Sequence, residues 1–294
     1  MASLKEVKTR ISSVTSTQQI TKAMKMVAAA KLRKSQDRIW QMRPFAQKMS
    51  AVVQNLSSGS NDGDNWYSKS RKEEKVLIVA ISSDRGLCGS FNSTVIKSVI
   101  RLIEEKYAVQ HAKKNVTILP IGKRAFEHFS KRQYPVVSDY VDMFMGLSFE
   151  KVSLAGQYLI DTFRKGEYDK VEIVYNQFKN VATQILVTEQ FLPVVPVKAA
   201  KKADIDYIFQ PNQEEILTGL IPKALKVQLY KAVLDSNASE NGARMTAMDK
   251  ASENAGDLLK DLKLMYNRTR QAAITKEILE IVAGAEALKA VRKN

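Results

Sequence analysis

Hydrophobic residues recur at alternating spacings of three and four along the first 56 residues. The positions keep one register throughout: Leu4, Val7, Ile11, Val14, Gln18, Thr21, Lys25, Ala28, Leu32, Ser35, Ile39, Met42, Ala46, Met49, Val53 and Leu56. A mean spacing of about 3.5 places such positions on one seam of a left-handed coiled coil. Pro44 lacks a backbone donor and predicts a kink, and no glycine occurs before Gly59. The pattern therefore predicts one long helix over residues 1–57.

A second apolar stripe accompanies the polar part of this seam. Ile20, Met24 and Val27 follow helical spacing next to Gln18 and Lys25. A single partner helix covers only one face of a helix. We therefore expect a further partner to contact this stretch.

The C-terminal residues 212–294 repeat the design. The predicted seam is Met248, Ala251, Ala255, Leu258, Leu262, Met265, Thr269, Ala272, Lys276, Leu279 and Ala283. Beyond Thr269 a second stripe appears, formed by Ile274, Ile278, Ile281, Ala285 and Leu288. A helix end that is apolar on two sides is expected to lie inside a partly apolar sleeve. Pro222 predicts a kink, and Gly242 is a candidate interruption.

Ordinary core packing could produce either stripe alone. Two helices at opposite ends of one chain, both too long for a domain core, favour pairing with each other. The pairing is expected to be antiparallel, because the middle of the chain connects the two helices at one end.

The middle of the chain alternates strand and helix patterns after a Ser-, Gly- and Asn-rich linker at residues 58–74. The predicted strands are Val76–Ile81, Val116–Ile121, Val171–Phe178 and Val181–Thr188, the last two forming a hairpin. The predicted helices are a stretch around Val95–Ile103, Lys123–Lys131 and Lys151–Arg164. This alternation predicts a Rossmann-like α/β domain over residues 75–200 with a mostly parallel sheet, and a connector at 201–211. The fold class is an α/β domain between the helices of an antiparallel coiled coil.

The positive charge is concentrated at the N-terminus. The formal net charge is +15, and residues 1–56 carry eleven Lys and Arg against only Glu6 and Asp37. Such a helix favours an acidic partner: nucleic acid, an anionic membrane or an acidic protein surface. A basic start is also typical of a mitochondrial transit peptide, but the seam runs through it without a break, which favours a structural helix. No apolar run approaches the roughly 20 residues that span a bilayer.

Candidate catalytic chemistry is sparse. The loop Ser82–Asn92 follows the first strand, where open α/β sheets bind ligands, and it contains a G-x-x-G sequence but no P-loop motif. A structural turn or partner-docking loop is favoured over a nucleotide site. The single Cys88 excludes an internal disulfide, and His111 and His128 have no second ligand nearby. We expect no metal, no cofactor and no enzymatic activity of the chain itself.

Two terminal segments resemble signatures of the gamma subunits of F-type ATP synthases. They are QITKAMKMVAAAK, residues Gln19–Lys31, and ITKEILEIVAGAEA, residues Ile274–Ala287. The segments Ser83–Gly89 and Ala243–Met248 are also similar to this family. The resemblance covers nearly the whole chain and is loosest at residues 57–74 and 198–210.

This resemblance implies a non-catalytic rotor shaft. The family's gamma subunit contacts the membrane c-ring and the epsilon subunit at one end and turns inside the hexamer of alpha and beta subunits. It transmits torque from the proton-driven ring, regulates ATPase activity and binds no nucleic acid. The start Met1-Ala-Ser-Leu-Lys5 lacks a presequence. This start favours the cytoplasmic face of a bacterial plasma membrane, reached only through the complex, over the mitochondrial inner membrane.

The resemblance also implies residues that contact partners. Basic side chains on the first helix would face acidic loops of the beta subunits, Met24 would lie near such a loop, and the end of the last helix would contribute the remaining contacts. The expected contact residues are Lys22, Met24, Lys25, Arg33, Arg268, Gln271, Thr275, Ile278 and Ile281.

Two other readings compete with the rotor shaft. A basic coiled-coil protein that binds nucleic acid would explain the charge of the first helix but not the doubly apolar C-terminal end. An enzyme using the loop Asp84–Gly89 would require nucleotide binding by the isolated chain.

Overall fold

The computed structural model describes residues 3–57, 66–69, 71–194 and 213–291. The chain forms two compact units. Unit 1 comprises Met1–Val27 and Ala247–Asn294, and unit 2 comprises Ala28–Thr246. The predicted connector 201–211 lies outside the described residues, and of the predicted linker 58–74 only residues 66–69 and 71–74 are described.

Two long helices begin and end the described chain. Helix α1 spans Leu4–Ser57, 54 residues, and helix α6 spans Gln213–Val291, 79 residues. Pro44 lies inside α1 and Pro222 inside α6, and the kinks predicted there remain predictions. The interruption considered at Gly242 is wrong, because α6 is continuous there. A Cβ atom at Gly242 would lie 3.5 Å from the ring of Phe178, so the glycine permits close packing of α6 on the sheet.

The seam predicted for α1 is confirmed. Every seam position whose side chain is described is buried or half-buried; the side chains of Val53 and Leu56 lie outside the described set. In unit 1 the most buried members are Val7 and Thr21. In unit 2 they are Ala28, Leu32, Ser35, Ile39 and Ala46.

In unit 1 the seam predicted for α6 is confirmed at Met248, Ala255 and Leu262 but wrong at Leu258, at Met265 and from Ala272 onward. The buried residues are Met248, Ser252, Ala255, Leu259 and Leu262. Leu258 and Met265, which the sequence pattern placed on the seam, are each 48% exposed. At these positions the observed seam residue follows the predicted one by one place in the sequence. The observed seam brings Ser252 opposite Thr21, where their hydroxyls lie 2.7 Å apart.

The sheet of unit 2 has four strands in the order β2-β1-β3-β4. The strands are β1 (Val76–Ile81), β2 (Val116–Ile121), β3 (Lys170–Phe178) and β4 (Gln184–Leu192). Strand β1 runs parallel to β2 and β3, and β4 is antiparallel to β3, so the predicted hairpin is confirmed.

The fourth strand lies later in the chain than predicted. It begins at Gln184 because residues 180–183 form the turn: the side chain of Asn180 accepts a 2.6 Å hydrogen bond from the Thr183 amide. The β-branched residues Val181 and Thr183 had suggested a strand there.

Helices cover both faces of the sheet. One face packs on α2 (Phe91–Lys106) and α4 (Lys123–Lys131), through residues such as Val99 and Phe129; the short α3 (Ala108–Ala112) follows α2. The other face packs on α5 (Phe149–Arg164) and on α6, through Phe163 and Leu229. All six residues of β1 are buried, as expected for a parallel strand between two helical layers. The predicted fold class is confirmed, with a mixed sheet.

A buried ion pair joins α1, α6 and the sheet within unit 2. Arg43 Nη2 lies 2.9 Å from Asp235 Oδ1 and donates a 2.6 Å hydrogen bond to the Phe178 carbonyl oxygen. The side chain of Asp235 is fully buried. Burial raises the pKa of Asp235, and the Arg43 guanidinium partly opposes this rise. The geometry fixes the approach of α1 to the end of β3.

Replacing Arg43 by Met should destabilise unit 2 by about 3–5 kcal/mol, because the substitution leaves the Asp235 carboxylate buried without its cation. Chemical denaturation followed by circular dichroism measures the change. The matched control is Lys123→Met, which breaks an ion pair with Asp142 whose side chains are 47% and 62% exposed. The control should cost less than about 1 kcal/mol. Equal effects of the two substitutions would contradict this role of Arg43.

Candidate partner-binding surfaces

The first candidate surface is the α1 patch, formed in unit 1 by Ile20, Met24 and Val27; Met26 is exposed on another side of the helix. Ile20 is 59% exposed, Met26 67% and Val27 56%, and Met24 is half-buried. The seam face of α1 in this region is covered by α6, through Thr21 and Gln18. A cluster of exposed large apolar side chains outside the seam is typical of an interaction surface.

Basic residues accompany the α1 patch. Lys22 is exposed, and Lys25 Nζ lies 2.6 Å from Asp249 Oδ1 of α6. This ion pair is largely solvent-accessible, so it contributes little to stability and is screened by salt. Arg33, in unit 2, is also exposed. The first helix thus presents Lys22 and Arg33 to solvent outside the seam, whereas Lys25 lies at the edge of the seam and pairs with Asp249.

The second candidate surface is the α6 tip, residues 268–285 of unit 1. Arg268, Gln271, Thr275, Ile278 and Ile281 are all exposed. The apolar members include Ile278 at 55% and Ile281 at 71%, accompanied by Leu279 at 63%. The side chain of Leu288 lies outside the described set.

The exposure of the α6 tip follows from the register of the coil. Thr21 faces Ser252, so Val7, two heptads earlier, comes opposite Tyr266. Because α1 begins at Leu4, the part of α6 beyond about residue 270 has no α1 residue opposite it. The tip is therefore a single helix with apolar side chains on two sides.

The third candidate surface is the loop between β1 and α2, residues 82–90. Arg244 of α6 donates hydrogen bonds to the carbonyl oxygens of Gly86 and Arg85 and is paired with Glu240. Leu87 adopts a φ of 64° and is 65% exposed. A leucine in the left-handed region is strained and is found where the surroundings hold the backbone.

The interior of this loop is filled by its own contacts. The Ser83 amide donates to Asn92 Oδ1 at 2.9 Å, and the Ser83 hydroxyl donates to the Arg85 carbonyl oxygen at 2.6 Å. Cys88 is buried, and burial raises the pKa of its thiol, which disfavours a nucleophilic thiolate. The geometry favours a docking loop over a phosphate site.

Sequence reasoning missed both Arg244 and the conformation of Leu87. The segment Ala243–Met248 is similar to a known family, but its sequence predicts no contact for Arg244. A side chain that bonds to a distant backbone carbonyl leaves no periodic signal. A leucine is also the type of residue least expected at positive φ.

The described part of the chain contains no cluster of His, Cys, Asp or Glu that could hold a metal ion. His111 stacks on Tyr134, and His128 lies 3.2 Å from Arg132 Nη1. Among the described helices, none is both long and apolar enough to cross a membrane.

Comparison with known proteins gives matches along nearly the whole chain. A family model described as ATP synthase matches residues 3–288. The ATP synthase gamma chain of Cytophaga hutchinsonii is 55% identical over 293 residues, covering 98% of this chain and 99% of the relative. That of Flavobacterium psychrophilum is 54% identical, covering 98% of this chain and the whole relative.

Solved structures share the fold. A chain of the Euglena gracilis mitochondrial ATP synthase, in a structure of OSCP, F1 and c-ring, superposes with a TM-score of 0.71 at 21% identity. The match covers 99% of this chain and 96% of that one. A chain of the Tetrahymena thermophila mitochondrial ATP synthase central stalk and c-ring matches with a TM-score of 0.57 at 25% identity, covering 79% and 99%.

Replacing Ile278 and Ile281 together by Ser should leave the thermal midpoint of the free chain within about 2 °C of the parent, because both side chains are already exposed. Replacing the buried Leu262 by Ser, on the same helix, should lower the midpoint for unit 1 by several degrees. Thermal unfolding followed by circular dichroism distinguishes the two. A large loss of stability in the Ile278/Ile281 variant would assign the tip to the core of the free chain.

Proposed function

Because this chain belongs to the ATP synthase gamma-chain family, we propose that it is the non-catalytic rotor shaft of a proton-translocating F-type ATP synthase. It transmits torque from the membrane c-ring to the alpha/beta hexamer and regulates the ATPase activity of that hexamer. The single observation that carries the proposal is the α6 tip, a helix with exposed apolar side chains and without an α1 partner.

A partner must cover the α6 tip in the working protein. Ile274, Ile278 and Ile281 expose large apolar side chains to water on one side of the helix, and Leu279 does so on another side. Burial of each such side chain contributes about 1.5–3 kcal/mol. An apolar ring formed by the alpha and beta subunits would supply that burial around the whole helix. A surrounding ring also permits rotation, because a smooth apolar contact has no fixed angular partner.

The α1 patch would contact the same hexamer at a second position along the coil, away from the α6 tip. Met24 supplies an adaptable apolar contact, and Lys22, Lys25 and Arg33 supply charge toward acidic loops of the beta subunits. On α6, Arg268, Gln271 and Thr275 offer hydrogen-bond donors above the apolar end. Exposed ion pairs of this kind are weak and screened. Weak contacts suit a surface that meets three beta subunits in turn.

Torque transmission requires an element that resists twisting. The pairing of α1 with α6 provides it in each unit: interhelical contacts include Thr21–Ser252 in unit 1 and Arg43–Asp235 in unit 2. Packing of α6 against β1, β3 and α5 within unit 2 would fix this helix to the α/β layer.

The remaining partners would be the c-ring and the epsilon subunit. The chain would reach the membrane only through the complex, as a peripheral protein on the cytoplasmic face of a bacterial plasma membrane. No cofactor or nucleic acid enters this function.

Co-expression with the alpha and beta subunits of the same organism tests the proposal. We expect a complex with one copy of this chain per three beta subunits and ATPase activity that depends on the chain. Native mass spectrometry gives the stoichiometry. If the alpha and beta subunits fold but this chain does not co-purify, or if it instead binds random duplex DNA at physiological salt, the proposal fails.

The contact residues can be tested in the assembled complex. Ile278→Ser with Ile281→Ser should weaken retention of this chain in the complex roughly tenfold or more, because two apolar contacts are lost. Dissociation during gel filtration measures the effect. The matched control is Val109→Ser, which replaces a side chain that is 65% exposed on α3 of unit 2. Equal retention of both variants would remove the tip from the interface.

A further inference from the structure

The coil of unit 1 contains one polar layer in an otherwise apolar seam. The layer consists of Gln18, Thr21 and Lys25 of α1 with Asp249, Ser252 and Gly256 of α6. Elsewhere the seam of this unit is built from residues such as Val7, Ile11 and Val14 against Ala255, Leu259 and Leu262. The polar groups are therefore confined to about one heptad of each helix.

The members of the polar layer bond to one another across the helices. Thr21 Oγ1 and Ser252 Oγ lie 2.7 Å apart, and both residues are buried. Gln18 Nε2 donates to the Ser252 carbonyl oxygen at 3.3 Å. Lys25 Nζ donates to Asp249 Oδ1 at 2.6 Å at the edge of the seam. Two of these contacts, Thr21–Ser252 and Lys25–Asp249, thus join specific side chains of the opposite helices, whereas Gln18 bonds to a backbone carbonyl.

Gly256 provides a separate observation on the same layer. A Cβ atom at this position would lie 3.0 Å from Gln18 Nε2. Glycine inside a helix costs about 1 kcal/mol relative to alanine. Its presence opposite Gln18 leaves room for the amide to cross to α6.

We propose that this polar layer determines the axial register of α1 against α6 in unit 1. The apolar heptads alone do not, because a slip of one heptad, about 10 Å, again places apolar residues opposite apolar residues. The same slip places Thr21 opposite Leu259 in one direction and Ser252 opposite Val14 in the other. Each slip separates the side-chain contacts Thr21–Ser252 and Lys25–Asp249. It also places Asp249 or Lys263 where Gly256 leaves room for the Gln18 amide.

The hydroxyl pair suits selection of register more than stabilisation. Ser252 Oγ has a second acceptor in its own helix, the Met248 carbonyl oxygen at 2.9 Å, and Thr21 Oγ1 has the Gln18 carbonyl oxygen at 3.0 Å. In a slipped coil both hydroxyls would therefore still donate to carbonyl oxygens of their own helices, but the hydrogen bond between Thr21 and Ser252 would be lost. A buried polar residue at a seam position commonly specifies register at some cost in stability. The inference does not rest on the proposed function, since it concerns the free chain.

Cysteine pairs in the full chain report the register. Val14→Cys with Leu259→Cys lies one heptad from the Thr21–Ser252 pair and reports the native register. Val7→Cys with Leu259→Cys, and Val14→Cys with Tyr266→Cys, report the two slipped registers. Partners one heptad apart along the axis are too distant to form a disulfide, which needs Cα atoms within about 7 Å. The native Cys88 stays in place, because it is buried in unit 2.

With the polar layer intact, mild oxidation should close the native pair and leave the slipped pairs at a tenth of its yield or less. In a Thr21→Val, Ser252→Ala background we expect the slipped pairs to rise at least tenfold, with the thermal midpoint unchanged or higher. Thr21→Ser, which keeps the hydroxyl, should behave as the parent does.

Two results would overturn the proposal. One is low yield of the slipped pairs in both backgrounds, which would mean that apolar packing, or the contacts of the same continuous helices in unit 2 such as Arg43–Asp235, sets the register. The other is ready closure of the slipped pairs with the polar layer intact. If the double variant lost its helical signal, the same comparison in the Thr21→Val single variant would decide. That substitution removes the cross-helix hydroxyl contact and, within α1, only the bond to the Gln18 carbonyl oxygen.

Discussion

The fold depends on the packing of two segments from opposite ends of the sequence. Thr21 and Ser252 are separated by 231 positions, Arg43 and Asp235 by 192, yet each pair is in contact. In proteins, helices gain most of their stability from the packing of an apolar face against a neighbouring element. In each unit α1 and α6 cover that face for one another, and in unit 2 α6 also completes one side of the sheet core.

Sequence pattern predicted those elements whose residues fit a single period. The α1 seam and the strands Val76–Ile81 and Val116–Ile121 were of this kind. The α6 seam was not of this kind. Leu258 and Leu259 are adjacent and apolar, so either residue could occupy the seam position by its pattern alone. The contact of Ser252 with Thr21 in the folded chain selects Leu259. The bounds predicted for β4 began too early, because Asn180 forms a turn with Thr183 before the strand starts. At the candidate surfaces, exposure of Ile278 followed from periodicity, whereas the contacts of Arg244 and the positive φ of Leu87 depend on tertiary neighbours.

The exposed apolar surfaces are available to partners, whereas the buried seam holds α1 and α6 together. Ile20, Val27, Ile278 and Ile281 expose apolar area that a monomeric protein would bury, and charged residues lie among them. A helix whose two apolar sides cannot both be covered by one neighbour requires an enclosing partner. Rotation within such a partner further requires that the contacts be non-directional, as apolar contacts are. The directional contacts, such as Arg43–Asp235 and the polar layer of unit 1, lie between the two helices themselves.

Single-molecule rotation tests the central claim most directly. The hexamer would be fixed to a surface through its beta subunits, and a bead would be attached to a cysteine introduced at Lys131, an exposed residue at the end of α4. On addition of ATP, a rotor shaft must turn the bead continuously in one direction, with equally spaced pauses that match the three beta subunits. A bead that stays at one angle while the same complexes hydrolyse ATP would contradict the account.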